Sequence, residues 1–134
     1  VPALSSFDYA IIRVVPRVER GECLNAGVIL FCRTRRFLAA AIDLDAARLA
    51  ALAPDLDTRL AQRHLDTFPL ICAGDPGSGP IGGLTQAERF HWLVAPRSTI
   101  IQSSPVHCGL CAEPSDTLRR LLDSLVRLPP SPPR

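Results

Sequence analysis

Three stretches of the chain hold residue types that do chemistry. In "RVVPRVERGECLN", Arg13 to Asn25, two apolar runs flank a charged cluster of Arg13, Arg17, Glu19, Arg20, Glu22 and Asn25. Guanidinium forks bind carboxylate or phosphate in a bidentate manner, a positioned carboxylate acts as a general base, and an asparagine amide bonds neighbouring backbone. Two readings compete. In one, Arg13 pairs with Glu22 across a hairpin while Asn25 ties the turn. In the other, Arg13, Arg17, Glu22 and Asn25 form an anion-binding sheet edge, joined by Arg97, Ser98, Gln102, Ser104 and His107 from a later strand. Glu22 or His107 would then be the base, but neither has the further groups that mark a catalytic constellation.

The second stretch, "HCGLC", gives His107, Cys108 and Cys111 the C-x-x-C spacing of half a zinc site or a redox dithiol. Zinc would need a second pair, and Cys23, Cys32 and Cys72 stand singly. A redox dithiol opens a helix, where the helix terminus lowers the thiol pKa. Here Gly109 lies between the thiols and Pro114 follows, so a strand end or turn with small thiols and no metal is expected. The third stretch, "AGDPGSGPIGG" from Ala73 to Gly83, has five glycines and two prolines but no GxxxxGK[ST] pattern. It reads as a connector, and no cofactor is implied.

What positions these residues follows from the rest of the chain. Its 134 residues, 47% of them apolar and 21% charged, suit a single domain over 1–134 with one hydrophobic core. The net charge of +2 gives no argument for nucleic acid or an anionic membrane. All 15 basic residues are Arg, in keeping with a chain also rich in Ala, Gly and Pro and hence with GC-rich coding. No run approaches the ~20 apolar residues of a membrane span and no secretory pattern opens the chain, so a cytoplasmic protein with reduced thiols is expected.

β-branched residues from Tyr9 to Val15, stopped by Pro16, predict a strand. Ala26–Cys32 is its hairpin partner, and Arg36–Leu44 follows after a tight "RTR" turn. From Asp45 the period becomes helical. Asp43 or Asp45 caps a first helix that breaks at Pro54, and Asp55 or Asp57 caps a second that runs to about Pro69. Thr85 and Glu88 have capping-box spacing, which predicts a helix from Gln86 to about Leu93. Arg97–His107 reads as one extended strand. Ser115 onward is an amphipathic helix with Leu118, Leu121, Leu122, Leu125 and Val126 on one face, ending in a frayed Pro-rich tail, 129–134. The fold class is α+β: a small antiparallel sheet of about four strands packed against two or three helices. Ile11, Val15, Val28, Leu30, Leu38, Ala40 and Ile42 should face Leu60, Leu65, Trp92, Leu118 and Leu122.

"YAIIRVVPRVERGECLNAGVIL" resembles the opening signature of domain-of-unknown-function family 3037, with Arg13, Pro16, Gly21, Glu22, Asn25, Gly27 and Val28 in the signature places. "SSPVHCGLC" and "EPSDTLRRLLDSLV" resemble its closing segment, where the family does not require the two thiols. The resemblance implies a compact bacterial α+β domain encoded beside a HipA-like kinase, and so a small accessory protein with a kinase-like partner.

Four functions compete at this point. A binding module docking on a protein partner comes first, recognisable by an exposed apolar patch rimmed by Arg or by a sizeable dimer contact. An enzyme on a small anionic substrate at the Arg/Glu/Asn cluster is the alternative. A nucleic-acid module using "RTRR", Arg33 to Arg36, has few aromatic platforms and little charge behind it. A metal or redox dithiol comes last. A homo-oligomer is compatible with all four.

Overall fold

The structure, a computed structural model, describes residues 3–129. Residues 130–134, most of the tail expected to fray, lie outside the described residues. The chain forms β1 (Ser5–Val14), β2 (Leu24–Cys32), β3 (Phe37–Ile42), α1 (Ala46–Leu52), α2 (Thr58–Ala73), α3 (Gln86–Val94), β4 (Ile101–Ser103), β5 (His107–Cys111) and α4 (Pro114–Leu125). The five strands make an open antiparallel sheet in the order β3-β2-β1-β4, with β5 also paired to β1. This is the expected α+β class.

The single late strand is in fact two. β4 lies against Ile12–Val14 and β5 against Ser5–Tyr9, along the same side of β1. Pro105 has no N–H for a ladder, and Ser104 takes over the join: its Oγ accepts from the Ile11 N–H at 2.8 Å and its own N–H donates to the Ile11 carbonyl at 2.8 Å.

Helices cover both faces of the sheet. On one face Ala10, Ile12, Val14, Ile29, Phe31 and Leu38 pack against Leu49, Leu65, Phe68, Phe90 and Leu93 of α1, α2 and α3. On the other, Phe7, Val28, Leu30, Cys32 and Cys111 pack against Leu118 and Leu122 of α4 and the adjoining Val126. β2 is therefore buried on both sides, and the expected single apolar face divides: Val28 and Leu30 look toward α4, Leu38, Ala40 and Ile42 toward α2. Leu60 and Trp92, expected in the core, are instead 36% and 41% exposed.

A bulge sets which face Asn25 occupies. Ile12 pairs with Gly27 but Arg13 pairs with Asn25, leaving Ala26 as the extra residue of β2. Ala26 thus joins Leu24 under α2, and Asn25 turns to the α4 side. Gly27 beside it is sterically required, because a Cβ there would lie 2.7 Å from the Ala41 carbonyl oxygen.

The helix ends follow the sequence signals. Asp45 accepts from the Arg48 N–H, Asp57 from Arg59 and Leu60, and Thr85 with Glu88 completes the capping box. α2 continues past Pro69 to Ala73 and stops at Gly74, whose φ of 71° is left-handed. The glycine-rich connector holds two 3-10 turns, Pro76–Ser78 and Pro80–Gly83.

Candidate functional site

The candidate residues do not gather in one place. Asn25, Arg13 and Gln102 stand side by side across β2, β1 and β4, on the sheet face that carries α4. Asn25 Nδ2 donates to the Leu125 carbonyl at 3.0 Å, and Gln102 Nε2 to the Thr99 carbonyl at 2.9 Å. Arg13 Nε is buried with no hydrogen-bond partner among the described residues. Farther along β1, His107 of β5 opposes Tyr9, their ring centroids 5.4 Å apart.

Arg17 and Glu22 belong to the β1–β2 connection, which contains a 3-10 turn at Val18–Arg20. With Leu52 at the end of α1 and Pro54 and Asp55 from the α1–α2 link they line a cavity of about 480 Å³. Its charges are already matched. Glu22 pairs with Arg20, whose guanidinium it holds above the usual arginine range through their hydrogen bond, and Arg17 lies 3.9 Å from Asp55. The pairing of Arg13 with Glu22 is thus replaced by Arg20 with Glu22. The reason is geometric: strand alternation along β1 puts Arg13 on the α4 side with Phe7 and Tyr9, while the turn at Gly21, with φ of 70°, folds Glu22 back on its own loop.

Arg97 lies apart from the others, in a groove of about 570 Å³ between α2, α3 and the run into β4. Its floor and walls are Leu60, Thr67, Phe68, Trp92, Leu93 and Ile100, with His64 at the side. The Arg97 guanidinium lies over the Trp92 ring, 4.6 Å from the centroid, and donates to the Trp92 carbonyl. Partial burial pulls its pKa below the usual arginine value. A cation stacked on an indole fixes that ring at the lip of the groove while leaving much of it open to a partner.

Trp92, Leu60, His64 and Thr67 were not among the candidate residues, although the α2 members recur at i, i+4 and i+7, the spacing of one helix face. That stripe was the available signal. Arg89 was missed without any such signal: 8% exposed, it donates to the Ile71 and Cys72 carbonyls at 3.0 and 2.9 Å and so caps α2 from α3.

The thiols of "HCGLC" sit on a strand, where residues three apart point to opposite faces. Cys108 is exposed and Cys111 buried against α4. The two therefore do not converge on one ligand. Among the described residues no cluster of three or more His, Cys, Asp or Glu side chains could hold a metal, and no helix is long and apolar enough to cross a membrane.

Residues 9–126 match the model of a family described as "Protein of unknown function (DUF3037)". No curated protein and no solved structure matches the chain.

Proposed function

We propose that this chain, which belongs to the DUF3037 family of proteins of unknown function, is a small accessory domain that binds a protein partner in the Trp92 groove. The carrying observation is the groove itself: an apolar trough with a half-open indole at its lip and a guanidinium stacked on it. Tryptophan and arginine are the side chains that most often dominate binding energy at protein interfaces, and an exposed apolar trough rimmed by polar groups is the surface such partners cover. The resemblance of the opening and closing segments supplies the first partner to test, a HipA-like kinase, and with it a cytoplasmic setting.

The hairpin cavity favours a second reading, an enzyme on a small anionic substrate, because it brings Arg17 and Glu22 together with room for a ligand. It ranks lower because its two arginines already face carboxylates.

Capture of the purified kinase tests the first reading and locates the docking site. Trp92→Ala and Leu60→Ser should abolish capture while Arg17→Ala and Glu22→Ala retain it. The reverse pattern would move the site to the hairpin, and no capture by the wild-type chain would remove the kinase as partner.

A further inference from the structure

β3 ends the sheet. It pairs with β2 on one side and with no strand among the described residues on the other. The Asp43 N–H donates to the Ala26 carbonyl at 2.8 Å, and an antiparallel ladder alternates inward and outward residues. Phe37, Ala39 and Ala41 therefore direct their N–H and C=O groups at β2, while Leu38, Ala40 and Ile42 direct theirs away from it.

Natural edge strands are blunted by charges, prolines or bulges that discourage further pairing. Phe37–Ile42 has none of these. All six residues are apolar, three consecutive alanines hold the centre, and the register with β2 is unbroken. Charge is confined to the two ends and differs in sign: Arg33, Arg35 and Arg36 precede the strand, and Asp43 and Asp45 follow it.

That polarity selects the occupant of the edge. If a second copy lies antiparallel with Ala40 opposite Ala40, Leu38 meets Ile42 of the other chain and both belong to the outward set. The basic turn of each copy then meets the acidic end of the other, once at each end of the pair, as two-fold symmetry demands. A parallel copy would set like charges together. Local partners engage only part of this set. Asp43 accepts from Arg127 at 2.6 Å, Asp45 accepts the Arg48 N–H at 3.1 Å and Arg35 donates to the Ala112 carbonyl at 2.7 Å, whereas Arg33 and Arg36 have no carboxylate partner among the described ion pairs.

We infer that β3 is a self-association edge: two copies of this chain join β3 to β3 antiparallel, centred on Ala40, into one continuous sheet. α2 of one copy then adjoins α2 of the other on one face, and α4 adjoins α4 on the opposite face.

The test combines light-scattering mass with residue-resolved amide exchange across a dilution series. At about 100 µM the mass should approach twice the 14.5 kDa of one chain. The Leu38, Ala40 and Ile42 amides should gain protection in step with mass and lose it on dilution, and salt should shift both toward monomer. Ala40→Pro removes an outward N–H and leaves the ladder to β2 intact, so it should give a folded monomer. Should that variant unfold, Arg33→Glu with Arg36→Glu serves instead, because both residues lie in the exposed turn. A single-chain mass up to ~1 mM would overturn the inference. So would a dimer that survives a folded variant, or one whose three edge amides exchange as fast as in the diluted chain.

Discussion

Asn25 Nδ2 donates to the carbonyl of Leu125 at 3.0 Å, joining the bulged start of β2 to the last turn of α4 across one hundred residues of sequence. The bond satisfies one of the carbonyls that a helix C-terminus leaves open, and it exists because the Ala26 bulge turns Asn25 to that face. Asn25→Ala should cost about 1–2 kcal/mol of stability. Urea melts should show a lower midpoint with an unchanged slope, and an unchanged midpoint would mean the contact is replaced by water.

Arg13 and Glu22 should be energetically independent. In a double-mutant cycle with both residues changed to Ala, the coupling should fall below ~0.5 kcal/mol. The cycle between Arg20 and Glu22 should instead give a small favourable coupling that salt erases, as for exposed ion pairs generally. A clear Arg13–Glu22 coupling would put the charged cluster back together.

Arg89 fastens α3 to the end of α2. Arg89→Met leaves the Ile71 and Cys72 carbonyls without their charged donor and should destabilise the fold by about 2–3 kcal/mol. Because Gly74 has left-handed backbone and a Cβ there would lie 2.9 Å from Arg89 Nη1, Gly74→Ala should also destabilise. Thermal melts of both variants check this.

The five thiols should divide by reactivity. Cys23 and Cys108 are exposed, whereas Cys32, Cys72 and Cys111 are buried, so maleimide should label two sites quickly and three only after denaturation. Burial pushes the Cys72 thiol from 9.0 up to about 12 and also raises Cys111. The folded chain thus keeps a proton that the unfolded chain releases. This contribution to stability is complete below pH 9 and falls as pH rises from about 9 to about 12, by at most about 1.4 kcal/mol per pH unit. Cys72→Ala should flatten that part of the alkaline profile, and mass spectrometry of the labelled chain identifies the fast thiols.

The elements that were legible in the sequence are those with local signals. β-branched runs marked β1 and β2, the Thr85–Glu88 spacing marked the start of α3, and the Leu118–Leu122 stripe marked α4. The two hairpin pairings were legible too, but the register was not, because one inserted residue at Ala26 reverses the side of Asn25 and of everything before it in β2. Of the candidate residues, Arg13, Asn25 and Gln102 do come together, while Arg17 with Glu22, His107, and Arg97 lie elsewhere. Trp92 read as core because a large aromatic usually is. At the surface its ring meets Arg97, which arrives from beyond the end of α3 and stacks on it.

Trp92 is the sole tryptophan of the chain, so one fluorine on its indole reports the groove directly. The decisive measurement is the 19F resonance of 5-fluorotryptophan-labelled chain titrated with the purified HipA-like kinase, in wild type and in Leu60→Ser. Partner binding in the groove predicts a saturable shift or broadening of the single resonance in wild type and its loss in the folded variant. A resonance that stays fixed while the two proteins demonstrably associate would contradict the groove as the docking site.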